Sequence, residues 1–178
     1  MRLTFLTTEE LEAGLEQIRQ SPKDAGTLEL IVRRPQVNER EILHHAELDL
    51  IEGLVGDSWR RRGRSPNPET QLNIMNARVL ALVAQAKDRW ALAGDQLIVD
   101  LDLSDHNLPP GTRVALGSAV IEVTAKPHTG CRKFSERFGL DAARFVNAPE
   151  WRDLRLRGIN AKVVQAGAIR IGDVAQKL

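Results

Sequence analysis

The sequence contains a single cysteine, Cys131, and the residues around it are the ones best suited to chemistry. It lies in the stretch KPHTGCRKF, residues 126–134, where Gly130 precedes a predicted helix. The start of a helix carries unpaired N–H groups and partial positive charge. Arg132 and Lys133 add formal positive charge, and His128 lies three residues before the cysteine. These features favour the thiolate, which is the nucleophilic and metal-binding form. Most free cysteines are small buried hydrophobes, so that role stays open as an alternative.

His128 and Cys131 have the spacing of half a zinc site. A structural zinc site needs four ligands, and the sequence offers no second cysteine. The other histidines, His44, His45 and His106, belong to no companion motif, so zinc is not expected. A softer ion that takes one thiolate and receives its other ligands from a cofactor is an alternative. A Cys–His hydrolase would need a third, orienting residue, and no cysteine-protease signature surrounds Cys131.

Two other charged motifs have some features of binding sites. The basic run at residues 60–64 could hold a phosphate, because guanidinium groups match phosphate oxygens, or it could be a solvated loop. Asp100, Asp102 and Asp105 have part of the spacing of a calcium loop, but the required glycine and glutamate are missing. The sequence has no phosphate-binding Walker loop and no dinucleotide-binding glycine fingerprint.

The elements that must position Cys131 are short strands with helices inserted between them. Alternating and apolar patterns predict strands over residues 27–33, 46–50, 71–75, 96–101, 112–116, 118–124, 159–165 and 168–171, the last two as a hairpin. Helical spacing predicts helices over 8–20, from 76, over 131–138 and over 141–146. This order favours a mainly β (α+β) barrel decorated by helices over a doubly wound parallel sheet. Residues 1–25 are predicted to form an N-terminal helical extension, and residues 26–178 the barrel domain.

Charge and composition narrow the range of partners. The 178 residues carry 25 Lys+Arg against 24 Asp+Glu, so no overall field favours nucleic acid or a membrane surface as a partner. No apolar stretch approaches the roughly 18 residues of a membrane span, and the N-terminal apolar stretch is too short for a signal-peptide core. One cysteine forms no internal disulfide, which fits a reducing compartment. We therefore expect a cytoplasmic protein.

Five motifs, in this order, resemble the MOSC family, named for the C-terminal domain of molybdenum-cofactor sulfurase. They are GLVGDSW (53–59), GDQLIVDLDL (94–103), LPPGTRVALGSAVIEVT (108–124), HTGC (128–131) and INAKVVQAGAIRIGD (159–173). The resemblance covers roughly residues 27–175 and is greatest to the small stand-alone bacterial members. It implies a MOSC-type β-barrel, similar to the β-barrel domain of pyruvate kinase.

The resemblance also implies a site that handles a pterin–molybdenum cofactor or sulfur. Cys131 matches the motif cysteine, which makes it the catalytic residue and either the molybdenum ligand or a sulfur carrier. Gln96 stands where the family often has an asparagine that helps to hold the pterin. His128, Gly130 and Lys133 complete the expected cofactor-binding set, with Gly130 offering backbone N–H groups to a phosphate. Pyridoxal phosphate is not expected, because no lysine stands in a Schiff-base context and the sulfurase domain that holds it is missing from this sequence.

Three functions follow as hypotheses. The first is a molybdenum-cofactor protein that reduces N-hydroxylated small molecules or handles the cofactor. As a reductase it would need an external electron donor, because the sequence has no flavin, haem or iron–sulfur motif. The second is a persulfide carrier that receives sulfur on Cys131 from a sulfur-donor protein. The third is a non-catalytic module that binds a small anion.

Overall fold

The structure, a computed structural model, describes residues 4–178 and contains eleven strands. They are β1 Ala25–Arg33, β2 Glu41–Leu43, β3 His45–Asp49, β4 Gly53–Leu54, β5 Leu72–Asn76, β6 Leu97–Asp100, β7 Arg113–Leu116, β8 Ala119–Pro127, β9 Ile159–Gln165, β10 Gly167–Arg170 and β11 Val174–Lys177. The α-helices are α1 Thr8–Glu12, α2 Leu15–Arg19, α3 Ala77–Ala84, α4 Arg132–Phe138 and α5 Leu140–Asn147. Short 3-10 helices cover Trp59–Arg61, Pro68–Thr70, Lys87–Ala93 and Pro149–Leu154.

Seven of the strands close into a mixed β-barrel. Their order around the ring is β1-β11-β7-β8-β9-β5-β6, and β6 pairs again with β1. Every neighbouring pair is antiparallel except β5 and β6, which are parallel. Parallel neighbours need a crossover connection, and α3 lies in that connection. The predicted fold class, mainly β with inserted helices, is confirmed.

The apolar side chains form two clusters on opposite faces of the barrel wall. The first fills the barrel interior and includes Leu28, Ile31 and Leu97. The second lies between the outer face and the helices, and it includes Leu30 and Val32 from the same strand, β1. Because β1 is buried on both faces, its sequence is a continuous apolar run. Helices therefore cover the outer face of the barrel at β1 and β5.

The predicted N-terminal helix lies where expected, but it is divided into two helices. Thr7 and Glu10 form the expected capping box, with each side chain bonded to the other residue's backbone N–H. The helix is then interrupted at residues 13–14, so α1 and α2 are separate. Leu11, Leu15 and Ile18 belong to the outer apolar cluster. These helices thus pack on the barrel, while the division at residue 25 stays a prediction.

The predicted hairpin of residues 159–165 and 168–171 is wrong. Both edges of β9 are occupied inside the barrel, by β8 and by β5. The next strand, β10, therefore finds no free edge there and pairs with β3 in a separate three-stranded sheet with β4. The sequence analysis also missed β11, the strand that closes the ring. No helix within residues 4–178 is both long enough and apolar enough to cross a membrane.

Candidate functional site

Cys131 is exposed and lies where β8 gives way to α4. It is the N-cap residue of α4, with extended backbone angles, φ −116° and ψ 178°, and its carbonyl oxygen accepts bonds from the N–H groups of Phe134 and Ser135. Phe134 and Phe138 anchor the helix in the outer apolar cluster. The alternative of a buried, inert cysteine therefore does not apply. The thiol is accessible and held on a fixed backbone, as a ligand or a nucleophile requires.

The residue before Cys131 is also fixed, by a pair of hydrogen bonds. The Gly130 N–H donates to Oδ1 of Asn147 at 2.8 Å, and Nδ2 of Asn147 donates to the Gly130 carbonyl at 3.3 Å. A Cβ at Gly130 would lie only 2.8 Å from that Nδ2 atom, so a larger residue would displace the Asn147 amide. The Gly130 N–H that the sequence analysis offered to a phosphate is used inside the protein. Its role here is to place Cys131.

His128 is held by a buried carboxylate that sequence reasoning did not find. Its Nε2 lies 2.8 Å from Oδ1 of Asp95, whose side chain is fully buried. The other carboxylate oxygen of Asp95 accepts a bond from Nη1 of Arg157 at 2.7 Å. Burial by itself would raise the pKa of Asp95, but the charges of Arg157 and His128 outweigh it and lower that pKa. Asp95 therefore stays ionised between two donors.

Arg157 is itself fixed on several sides. It donates to the carbonyl of Ala93 at 3.1 Å, and its guanidinium carbon lies 4.9 Å from the centre of the Phe134 ring. Phe134 belongs to α4, the helix that begins after Cys131. The His128–Asp95–Arg157 chain is thus connected through Phe134 to the helix that carries the thiol at its start. His128 and Cys131 share no hydrogen bond among the described residues, so no Cys–His pair forms here.

Gln96 is fully buried, and both ends of its amide are engaged. Its Oε1 accepts a bond from the Asn73 N–H at 2.7 Å, and its Nε2 donates to Asp57 at 3.1 Å and to the Gln71 carbonyl at 3.3 Å. Asp57 receives two further bonds from the buried guanidinium of Arg34, at 2.9 and 2.8 Å. A direct contact between Gln96 and a cofactor would require it to leave these bonds. In this arrangement Gln96 positions other residues.

Guanidinium groups converge beside the loop that precedes β6. Nη1 of Arg34 donates to the Gly94 carbonyl at 2.9 Å. A Cβ built on Gly94 would lie 3.3 Å from Nη2 of Arg40 and 3.8 Å from Nη1 of Arg137, which places those two groups close together. Burial lowers the pKa of Arg40, and the charges of Arg137, Arg34 and Arg62 lower it further. Nε of Arg40 is buried and has no hydrogen-bond partner within residues 4–178. Positive charge is therefore in excess here.

Two of the predicted residues extend this positive region. Arg62, from the basic run 60–64, also has its pKa lowered, first by burial and then by the charge of Arg34. Lys133 is exposed on α4, and its Nζ lies 3.5 Å from Oδ1 of Asn38. Lys133 and Arg137 are four residues apart and so share one face of α4. The basic run thus contributes to the site through Arg62.

Two cavities open beside His128, with residues 127–129 and Asn160 forming a wall common to both. The smaller, about 470 Å³, is lined by Arg62, Asn73 and His128 among others. The larger, about 890 Å³, is lined by polar and charged groups that include Asn147 and Arg152. Cys131 lines neither cavity and follows their common wall by two residues. No group of three or more His, Cys, Asp or Glu side chains that could hold a metal is found within residues 4–178.

Comparison with known proteins agrees with this description. The sequence model of the MOSC domain matches residues 61–176. No curated protein matches the chain. Among solved structures, the YuaD protein from Bacillus subtilis is 16% identical with a TM-score of 0.62, covering 85% of this chain and 96% of that one. YiiM from Escherichia coli is 17% identical with a TM-score of 0.55, covering 85% of this chain and 69% of that one.

YiiM from Geobacillus stearothermophilus is 12% identical with a TM-score of 0.51, covering 89% of this chain and 74% of that one. At these identities the structural likeness shows a shared fold, and the sequence match covers well over half of the chain. The chain belongs to the MOSC domain family.

Proposed function

We propose that this protein binds a molybdenum–pterin cofactor, with Cys131 as the protein ligand to the metal, and reduces N-hydroxylated small molecules. The observation that carries the proposal is the exposed thiol of Cys131 on a helix that also brings Lys133 and Arg137 to a cluster of arginines. MOSC domains as a family are associated with this cofactor. A thiolate is a soft ligand that suits such a metal.

The charges around the site fit the phosphate that a pterin cofactor carries. Arg40 has a buried Nε without a partner among residues 4–178, and it lies near Arg137. Like charges held close together are destabilising unless an anion joins them. Guanidinium groups bind phosphate through paired N–H donors. We assign Arg40 and Arg62 to the phosphate, with Lys133 adding charge from α4.

When bound, the cofactor supplies two-electron chemistry with transfer of an oxygen atom. The residues of the chain bind and orient it. Cys131 would hold the metal at a place fixed by the Gly130–Asn147 hydrogen bonds. Gln96 is a positioning residue. It donates a hydrogen bond to Asp57, and Asp57 accepts one from Arg34, which lies beside the arginine cluster. Reduction of an N–OH group consumes two electrons and two protons and releases water, with the electrons coming from an external donor protein.

The test is the molybdenum content of protein produced in a host that makes the cofactor. We expect near-stoichiometric metal in the wild type, none in Cys131→Ala, and a clear loss in Arg40→Gln. The matched control is Arg144→Gln, an exposed arginine on α5 whose carboxylate neighbour is Asp141, and it should keep its metal. Folded wild-type protein without molybdenum would contradict the proposal.

A second candidate function is a persulfide carrier, which the exposure of Cys131 also favours. In that case a sulfur-donor protein transfers one sulfur atom to the thiol. Mass spectrometry after incubation with a cysteine desulfurase would show the added sulfur on the wild type and not on Cys131→Ser. An unmodified wild type would remove this candidate.

A module that only binds a small anion would instead keep its binding in Cys131→Ser. We propose a cytoplasmic location with this function, because a chain with one cysteine forms no internal disulfide and fits a reducing compartment.

A further inference from the structure

We propose that His128 is an acid–base residue of this site: Asp95 fixes its ring so that Nδ1 exchanges protons with a ligand in the adjoining cavities. The inference rests on the proposed function in one respect, because reduction of an N–OH group needs protons at the reacting oxygen. Its structural basis is separate from the metal site. It concerns the His128–Asp95–Arg157 chain and the cavities that His128 lines.

The hydrogen bond to Asp95 determines which nitrogen of His128 carries the proton. Asp95 is buried between Arg157 and His128, and both hold its pKa down, so its carboxylate is ionised and can only accept. The Nε2 atom, 2.8 Å from the carboxylate, must therefore donate a proton. In the neutral imidazole the other nitrogen, Nδ1, then carries the lone pair. Asp95 thus sets the tautomer of His128.

The position of His128 places that lone pair where a ligand can reach it. The ring is part-buried, with 16% of the side chain exposed, and His128 contributes to the lining of both cavities. No hydrogen bond to Nδ1 comes from within residues 4–178, whereas Nε2 is committed to Asp95. A cavity of about 890 Å³ is large enough for a small organic molecule. Nδ1 is therefore the ring atom available to a ligand.

His128 lies close enough to Cys131 along the chain for both residues to act on one substrate. Cys131 lies three positions after His128, and three positions of extended chain span at most about 11 Å. A small substrate bound beside a metal on Cys131 can therefore extend to the imidazole. The other ionisable groups lining the smaller cavity with His128 include Arg62, which carries positive charge and cannot serve as a base. His128 is the residue in that wall whose side chain can both accept and donate a proton.

The proton transfer can be written with all atoms accounted for. The protonated imidazole donates its Nδ1 proton to the departing oxygen of the substrate, while the external donor supplies the two electrons. The N–O bond breaks, the hydroxyl leaves as water with the proton from His128, and the nitrogen takes the second proton from solvent to give the amine. The imidazole becomes neutral with Nε2–H still bonded to Asp95, and it regains its Nδ1 proton from solvent. Asp95 and Arg157 stay charged throughout.

The first experiment uses protein without cofactor. Nitrogen-15 NMR of histidine-labelled protein at mildly alkaline pH distinguishes the two neutral tautomers, and His128→Gln assigns the signal. We expect His128 as the Nε2–H tautomer, and the exposed His106 as a mixture of both. In Asp95→Asn the amide can turn its NH₂ toward Nε2, and the Nδ1–H form should then increase. An Nδ1–H tautomer in the wild type would overturn the proposal.

The second experiment uses molybdenum-loaded protein with a chemical electron donor and an aromatic hydroxylamine as the probe. His128→Gln keeps a donor for Asp95 but loses the acid–base group, so we expect the kcat per bound molybdenum to fall by about 100-fold or more. His106→Gln is the matched control and should match the wild type. An unchanged kcat in His128→Gln would overturn the proposal. If the loaded wild type does not reduce the probe at all, the proposed reductase function fails, while the tautomer result still supports the assignment of His128.

Discussion

Two neighbouring regions of the site are built in opposite ways. One is a buried frame, formed by Arg34, Asp57, Asp95, Gln96 and Arg157. The other is an exposed rim, formed by Arg62, Cys131 and Lys133. In the frame each carboxylate is bonded to an arginine and to one more side chain, whereas the rim residues have few polar partners in the protein. The polar groups of the frame therefore bond to one another and fix the positions of the site, whereas the groups of the rim are available to ligands.

The largest expected effect follows from breaking the frame. Asp57→Ala leaves the guanidinium of Arg34 buried without its carboxylate, and removal of one partner of a buried pair costs about 3–5 kcal/mol of the free energy of unfolding. Urea unfolding followed by tryptophan fluorescence measures this loss. The control is Lys23→Ala, which removes an exposed partner of Asp102 and should cost about 1 kcal/mol or less. Similar losses in the two variants would show that the frame is not special.

A smaller effect should appear on acidification. Burial opposes the ionised form of Asp57, but the hydrogen bond and charge of Arg34 outweigh it, so its folded pKa lies below the unfolded one, as for Asp95. The stabilisation from such groups is complete above the unfolded pKa, about 3.9, and is lost as pH falls toward the folded pKa. We expect the free energy of unfolding to fall below about pH 4 in the wild type, in the range set by that reference value. Urea unfolding at a series of pH values should show a shallower fall in Asp57→Asn.

The smallest effect on stability is expected at the rim. Cys131→Ser changes an exposed atom, and surface changes of this kind alter the free energy of unfolding by about 0.5 kcal/mol or less. The same variant should lose its molybdenum, so stability and metal content separate. Thermal unfolding measured beside elemental analysis tests this directly. A markedly destabilised Cys131→Ser would mean that the rim also supports the fold.

The same contrast explains what could be predicted from sequence. Cys131 and His128 were found because they lie in one short segment with suggestive neighbours, and most strands were found because β patterns are local. Asp95 and Arg157 gave no local signal, since Asp95 lies in an ordinary GDQL turn and Arg157 lies far along the chain. Only the barrel brings them to His128. Gln96 was singled out by resemblance alone, and its burial depends on the same tertiary packing.

Errors in the strand assignments have the same origin. The segment at residues 159–171 has the pattern of a hairpin, and sequence proximity favours pairing of adjacent strands. The barrel overrides this preference because β8 and β5 take both edges of β9. β11 was missed because the strand has only four residues and is only partly apolar.

The way in which the ring closes also sets the order in which the chain can fold. Ala25 of β1 pairs with Gln176 of β11, so nearly the whole sequence lies between the two strands that complete the barrel. Contacts between such distant residues cost a large loop-closure entropy before any favourable contact energy is gained, and this slows folding. Residues 31–33 of β1 pair with β2 early in the chain, whereas residues 25–27 must wait for their second partner until residues 174–177 have left the ribosome. In that interval this end of β1 is open to association with other chains, and the time to ring closure should influence the yield of soluble protein.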